Sequence, residues 1–244
     1  MSAQLAMQHG TLGKRLTDAN VALLPGQVTA ICGPNGAGKS TLLSALAGLE
    51  HLDSGLAMLE GRALADLPPK ERARRIGYLP QSGEVAWDIA VRSVVALGRL
   101  PHGGAADDVV NAAITELALD DLADRAISTL SGGERARALL ARVFAGEPEW
   151  ILADEPLAAL DLAHQLSLLG SLKARAANGS GVVIVLHDLA LAMNHADRVV
   201  VLDQGRIAAD GAPADALSAD ILCRVWNVDV RWLGQPGAQA LVLA

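Results

Sequence analysis

The chain has 244 residues, 51% of them apolar and 19% charged, a balance that supports a sizeable core and excludes a disordered chain. Its net charge of −7 excludes broad electrostatic binding to nucleic acid, and four tryptophans, one tyrosine and one phenylalanine leave few groups for base stacking. The two cysteines, Cys32 and Cys223, form no CxxC pair and read as buried reduced thiols of a cytosolic protein.

The opening "MSAQLAMQHG" has no basic segment followed by an apolar one, so no secretion signal is expected. "VTAIC", Val28 to Cys32, is short and β-branched and predicts a buried strand after the Pro25-Gly26 turn. "STLLSALAGL" follows a glycine-rich loop and predicts a helix. Leu42, Leu43, Leu46 and Leu49 share its apolar face, and Gly48 sits at its C-terminal cap. "GLAMLEGRAL" reads as two short strands around Glu60-Gly61, and "RIGYLPQ" as a strand stopped by Pro80.

From about Ser82 to Ala141 the pattern turns helical. In "DDVVNAAITELAL", Val110, Ala113, Ile114 and Leu117 share one face, with Asp107 and Asp108 at the favourable N-terminal end. "WILADEP" and "GVVIVLHD" are continuous apolar runs ending in acids or His, the pattern of parallel strands covered on both faces. "GVVIVL" is too short to span a bilayer, so a membrane role requires a partner chain. "RVVVLDQGRIAADG" predicts an antiparallel hairpin turning at Gln204-Gly205. The tail from Pro213 predicts a short helix and two weak strands, "VDVRWLG" and "ALVLA".

Two patterns carry chemistry. "GPNGAGKS" fits G-x-x-x-x-G-K-[ST] at Gly33, Gly38, Lys39 and Ser40, and it follows a strand and opens a helix. Glycines let backbone N–H groups converge on phosphate oxygens, the helix points its positive end at them, and Lys39 adds a full charge. The Ser40 hydroxyl can ligate Mg²⁺. A phosphate site of this kind needs an acid on a neighbouring strand end, and "WILADEP" offers Asp154 for the metal. Its neighbour Glu155 then faces the space where a water would attack.

Together with "YLPQ", "LSGGE", "LAALD" and "VLHDLA", these motifs resemble the ATP-binding subunit of an ATP-binding-cassette (ABC) transporter, in the family's order. The resemblance implies an α/β fold: a P-loop NTPase core with a mostly parallel sheet, an antiparallel β subdomain and an inserted helical subdomain. It implies one domain over 1–244, with 1–81 and 142–244 as core and 82–141 as the helical insert carrying "LSGGE". The phosphate loop becomes Gly33, Pro34, Asn35, Gly36, Ala37, Gly38, Lys39, Ser40 and Thr41. Ser40, Gln81 and Asp154 are the implied Mg²⁺ residues, Gln81 also sensing the γ-phosphate. Glu155 is the implied general base and His187 its partner at the γ-phosphate. Ser131, Gly132 and Gly133 cap the ATP of a second copy, with Asp161 in the adjoining loop.

That second glycine turn is therefore useless in a monomer, and the implied assembly is a homodimer closed over two ATP. Two membrane permease subunits complete it, with a periplasmic or extracellular substrate-binding protein acting through them, and no nucleic acid. The expected location is peripheral, on the cytoplasmic face of the inner membrane. "SGEVAWDIAV" lies where permease helices dock in the family, with Trp87 a candidate contact. "AVRSVVALGRLPHGG", "LDLAHQLSLL" and "LHDLALAMNHADRVVVLDQGRIAADGAP" resemble cassettes of iron–siderophore, haem and cobalamin importers.

The chain also departs from the family pattern. The usual adenine-stacking aromatic near the N-terminus is replaced, with His9 the nearest candidate, and Ala158 and Ala136 stand where a small hydroxyl residue and Gln are usual. Rival classes fit less well. A DNA-repair cassette needs a long coiled coil, a ribosomal one needs two cassettes in tandem, and a P-loop kinase lacks "LSGGE". The alternatives are an exporter cassette, told apart by the helix count of its permease, an importer of another small solute, and a non-transport ABC ATPase.

Overall fold

The computed structural model describes residues 4–81, 88–104 and 106–244. The strands are β1 (Leu5–Leu12), β2 (Leu16–Leu23), β3 (Val28–Cys32), β4 (Ser54–Leu59), β5 (Arg62–Ala63) and β6 (Ile76–Leu79). Then come β7 (Trp150–Asp154), β8 (Gly181–Val185), β9 (Arg198–Asp203), β10 (Arg206–Gly211), β11 (Val230–Gln235) and β12 (Ala238–Leu243). The helices are α1 (Lys39–Leu46), α2 (Pro69–Arg75), α3 (Val91–Ala96), α4 (Asp107–Glu116) and α5 (Gly132–Ala145). They continue with α6 (Leu162–Ala177), α7 (Leu189–His195), α8 (Pro213–Ala216) and α9 (Ala219–Trp226).

The central sheet has the order β10-β9-β3-β8-β7-β6, parallel except for the edge strand β10. Strands β2, β1, β4 and β5 form a separate antiparallel sheet, and β11 and β12 form a hairpin. The expected α/β class, with a mostly parallel sheet, an antiparallel sheet and a helical region, is the architecture found.

Alternation along the central strands explains their unbroken apolar runs. Ala30 and Cys32 of β3, and Val182 and Ile184 of β8, face a core shared with α3 to α6. Ile31, Val183 and Val185 face the opposite way, into a second core with α1, β1 and β2. Both faces are covered, so no polar alternation is needed. Val110, Ala113, Ile114 and Leu117 are buried as one face, as expected. Asp107 and Asp108 occupy the first turn of α4.

Several features depart from the expectations. Helix α1 ends at Leu46, because Gly48 (φ +69°) turns the chain, and Leu49 is 57% exposed instead of joining the apolar face. Cys32 is buried but Cys223 is exposed on α9, whose buried side is Leu222. The β1–β2 pair and α2 were absent from the sequence reading altogether. Trp87 lies outside the described residues, as does most of its docking segment. Among the described residues no helix is long and apolar enough to cross a membrane.

Candidate active site

The loop after β3 wraps a pocket of about 530 Å³ lined by Arg15, Asn35, Gly36, Gly38, Lys39, Ser40, Thr41, Gln81, Glu155 and His187. The floor is the start of α1. Gly38 is its N-cap with φ +101°, a conformation L side chains rarely adopt, and a Cβ there would stand 2.2 Å from the Arg15 carbonyl oxygen. The other loop residues form the frame. The Ala37 N–H donates to the Pro34 carbonyl, and the Gly205 N–H donates to the Ala37 carbonyl. Gly33, Pro34 and Ala37 thus shape the loop without lining the pocket.

Lys39 is buried and its Nζ donates to the carbonyls of Gly33 (2.9 Å) and Pro34 (3.0 Å). Burial lowers its pKa, and the nearby Glu155 opposes that shift. These two carbonyl bonds hold the ammonium in the mouth of the loop, where an anion can take their place.

The opposite wall comes from the C-terminal ends of β7 and β8. Asp154 is 3% exposed, and burial raises its carboxyl pKa, which the Ser40 hydroxyl partly offsets. Its Oδ1 is buried without a hydrogen-bond partner. An orphaned carboxylate oxygen beside a serine hydroxyl suits a hard cation that takes its remaining ligands from phosphate and water. Among the described residues there is no group of three or more His, Cys, Asp or Glu that could hold a metal ion.

Glu155 follows with φ +51°, in the left-handed region, which ends the strand's extended geometry. His187, two residues beyond β8, places Nε2 at 2.5 Å from Glu155 Oε1. Gln81, just beyond β6, is exposed at the same pocket. The pocket thus pairs a polyanion cradle with a carboxylate–imidazole couple, the arrangement that attack of water on a phosphoryl group needs.

The "LSGGE" turn lies elsewhere. Ser131, Gly132, Gly133, Ala159, Leu160, Asp161 and His164 line a second pocket of about 430 Å³, and none of these residues lines the first. Ser131 caps α5 in a capping box. Glu134 N–H donates to its hydroxyl at 3.3 Å, and its own N–H donates to the Glu134 carboxylate at 2.8 Å. Those bonds hold Glu134 below the usual carboxylate range. A Cβ on Gly133 would stand 3.0 Å from the Ala159 carbonyl, so the two loops pack backbone to backbone. Asp161 caps α6 and belongs to this second pocket, away from the phosphate loop of its own chain.

His9 pairs with Asp18 at 2.8 Å and does not line the phosphate pocket. Arg15 does, and the sequence reading missed it. Its place depends on the β1–β2 turn crossing Gly38 and Gly205, a contact between distant segments that local pattern does not reveal.

The sequence profile of the family described as "ABC transporter" matches residues 16–158. The chain is 46% identical over 226 residues to the hemin import ATP-binding protein HmuV of Rhodococcus jostii, covering 91% of this chain and 77% of that protein. It is 43% identical over 240 residues to HmuV of Myxococcus xanthus, covering 92% and 90%. Among solved structures it resembles an inward-facing metal-chelate type ABC transporter, with a TM-score of 0.84 and 26% identity over 100% of this chain and 98% of that one. It also resembles the dimeric cassette MJ0796 bound to ADP and Pi after hydrolysis, with a TM-score of 0.78 and 25% identity over 86% and 98%.

Proposed function

Because the chain belongs to the ABC transporter family, we propose that this ATPase powers an importer of haem or a chemically similar iron chelate. The observation that carries the catalytic reading is the separation described above: one chain holds a phosphate cradle lined by Glu155 and His187, and a serine–glycine turn that lines a different pocket. The haem reading is supported by hemin import relatives matching most of the chain.

The residues divide the work as follows. Backbone amides from Asn35 to Thr41 and the start of α1 hold the phosphates of ATP, and Lys39 exchanges its two carbonyl partners for phosphate oxygens. Arg15 holds the nucleoside end. It lies on the β9–β10 side of β3 beside Gly205, whereas Gln81, Glu155 and His187 lie on the β8–β7–β6 side. Ser40, Asp154 and Gln81 would hold Mg²⁺, which neutralises phosphate charge when bound. Glu155 takes the proton of the attacking water, and His187 orients Glu155 and the terminal phosphate.

Ser131, Gly132 and Gly133 then cap the ATP of a second copy, with Asp161 beside them, so two chains close head to tail over two nucleotides. ADP lacks the phosphate that this turn grips, and that difference in affinity is what can open the pair. Residues 82–141 act as a helical insert that moves against a core of 1–81 and 142–244. The assembly includes two permease subunits and, acting through them, a periplasmic or extracellular binding protein. The chain sits peripherally on the cytoplasmic face of the inner membrane.

The decisive experiment reconstitutes the chain with its permease in liposomes and measures ATP hydrolysis with loaded binding protein. Haem-loaded protein is expected to stimulate turnover well beyond apo protein or a cobalamin-loaded one. Equal rates with every load would sink the haem assignment.

A further inference from the structure

The pair "HQ" in "LDLAHQLSLL" has no part in the chemistry above, yet its glutamine grips the loop that carries the base. That loop runs from Glu155 to Leu160 as two successive turns: Ala158 N–H donates to the Glu155 carbonyl at 3.2 Å and Leu160 N–H to the Leu157 carbonyl at 3.1 Å. Gln165, half-buried on the first turn of α6, donates its Nε2 to the carbonyls of Leu157 (3.2 Å) and Leu160 (3.1 Å). Its neighbour His164 binds Asp161 twice, through its backbone N–H at 2.9 Å and its Nδ1 at 2.8 Å.

The braced loop has two working ends. At one end Glu155 sits in the left-handed region, a conformation that persists in a non-glycine residue only where its surroundings over-determine it. At the other end the Ala159 carbonyl abuts Gly133 of the capping turn. A cavity of about 140 Å³, lined by Glu155, Ala158, Gln165, His187 and Leu191 among others, lies behind the base. A loosened loop would have room to let the carboxylate turn away from the phosphate pocket.

We infer that Gln165 is a positioning residue for hydrolysis: its amide clamps the 155–160 loop so that the base and the surface against the capping turn keep one fixed relation. The inference rests on Glu155 being the general base. Gln165 touches neither substrate nor metal in this arrangement, so it acts on the rate only through that loop.

The test uses the full chain assembled with its permease. Gln165→Met keeps the length of the side chain and removes both donated bonds. It is expected to lower kcat about 10- to 100-fold, the scale of a base misplaced by about an ångström. The KM for ATP and the affinity for a fluorescent ATP analogue should stay within about twofold, because the phosphate loop is untouched. Gln165→Lys, which can still donate to both carbonyls, should recover most of the rate; it also keeps the test alive if the Met variant folds poorly. In a cycle with Glu155→Gln, the double variant should turn over no more slowly than Glu155→Gln alone. Unchanged kcat in Gln165→Met, a Lys variant as slow as the Met variant, or an equal further loss on the Glu155→Gln background overturns the inference. Wild-type turnover by Glu155→Gln itself removes the base, and the clamp loses its purpose with it.

Discussion

His187 Nε2 lies 2.5 Å from Glu155 Oε1, although 32 residues separate them in the chain. Adjacent parallel strands make this possible, since Asp154 of β7 pairs in register with Val185 of β8 and each functional residue follows its strand end. The Glu155 side chain is 13% exposed and that of His187 48%, so the proposed base is sheltered while its partner faces the open pocket. Glu155→Gln should therefore keep the hydrogen-bonded framework and remove only proton acceptance. We expect turnover to fall by about 10²–10⁴ while ATP binding survives. With ATP and Mg²⁺ the variant should accumulate as a dimer by light scattering, and wild-type turnover would refute the assignment.

Gly38 and Gly36 separate sterics from nucleotide contact. Both have positive φ, +101° and +78°, but a Cβ on Gly38 meets the Arg15 carbonyl at 2.2 Å while one on Gly36 meets nothing within 4 Å. Gly38→Ala should lose about 2–4 kcal/mol of stability and with it nucleotide binding. Gly36→Ala should lose about 1–2 kcal/mol, the cost of the left-handed backbone alone. Chemical denaturation of the two variants measures both.

Arg15 is expected to decide affinity at the nucleoside end. A guanidinium stacked on a base contributes about 0.5–2 kcal/mol, so Arg15→Ala should weaken ATP binding about 3- to 30-fold. Binding of inorganic triphosphate should change much less, as titration calorimetry would show. Equal losses for both ligands would place Arg15 on the phosphates instead.

The two thiols should behave differently. Burial pushes the Cys32 thiol up to about 12, whereas Cys223 is exposed on α9. At pH 8 a maleimide should label the native chain once, at Cys223, and the unfolded chain twice. The raised Cys32 value also sets a sign. The unfolded chain releases this proton near its ordinary value, 9.0, and the folded one does not until about 12. Cys32 therefore leaves stability unchanged below pH 9 and withdraws it as pH rises towards 12. Cys32→Ala should flatten that alkaline decline.

The parallel strands and the phosphate loop were legible because their signals are local. Val28–Cys32 and Gly181–Val185 are buried runs rich in β-branched residues, and the loop between β3 and α1 has a fixed glycine–lysine spacing. β1 and β2 were not. "LTDANVAL" carries Asp and Asn inside a strand, and its pairing with β1, itself paired to β4, supplies what propensity does not. Helix α6 was noticed only as a family likeness, since Leu162 and Leu166 on its outer side blur the periodicity of buried Leu168, Leu169 and Leu172. Within the site, Gln81, Glu155 and His187 sit within two residues of their strand ends and meet at one pocket because those strands are neighbours. Arg15 reaches the pocket because its backbone crosses Gly38 and Gly205, and Gln165 bonds the Leu157 and Leu160 carbonyls; no spacing rule encodes either contact.

The phosphate cradle and the serine–glycine turn share no lining residue within one copy. In the proposed pair, every working centre is therefore jointly owned, and genetics should see that ownership. A copy spoiled only at Ser131 would ruin the centre whose cradle belongs to its healthy sibling and leave the centre on its own cradle sound. Two alleles broken at opposite faces, one at Lys39 and one at Ser131, would still leave one sound centre when expressed together.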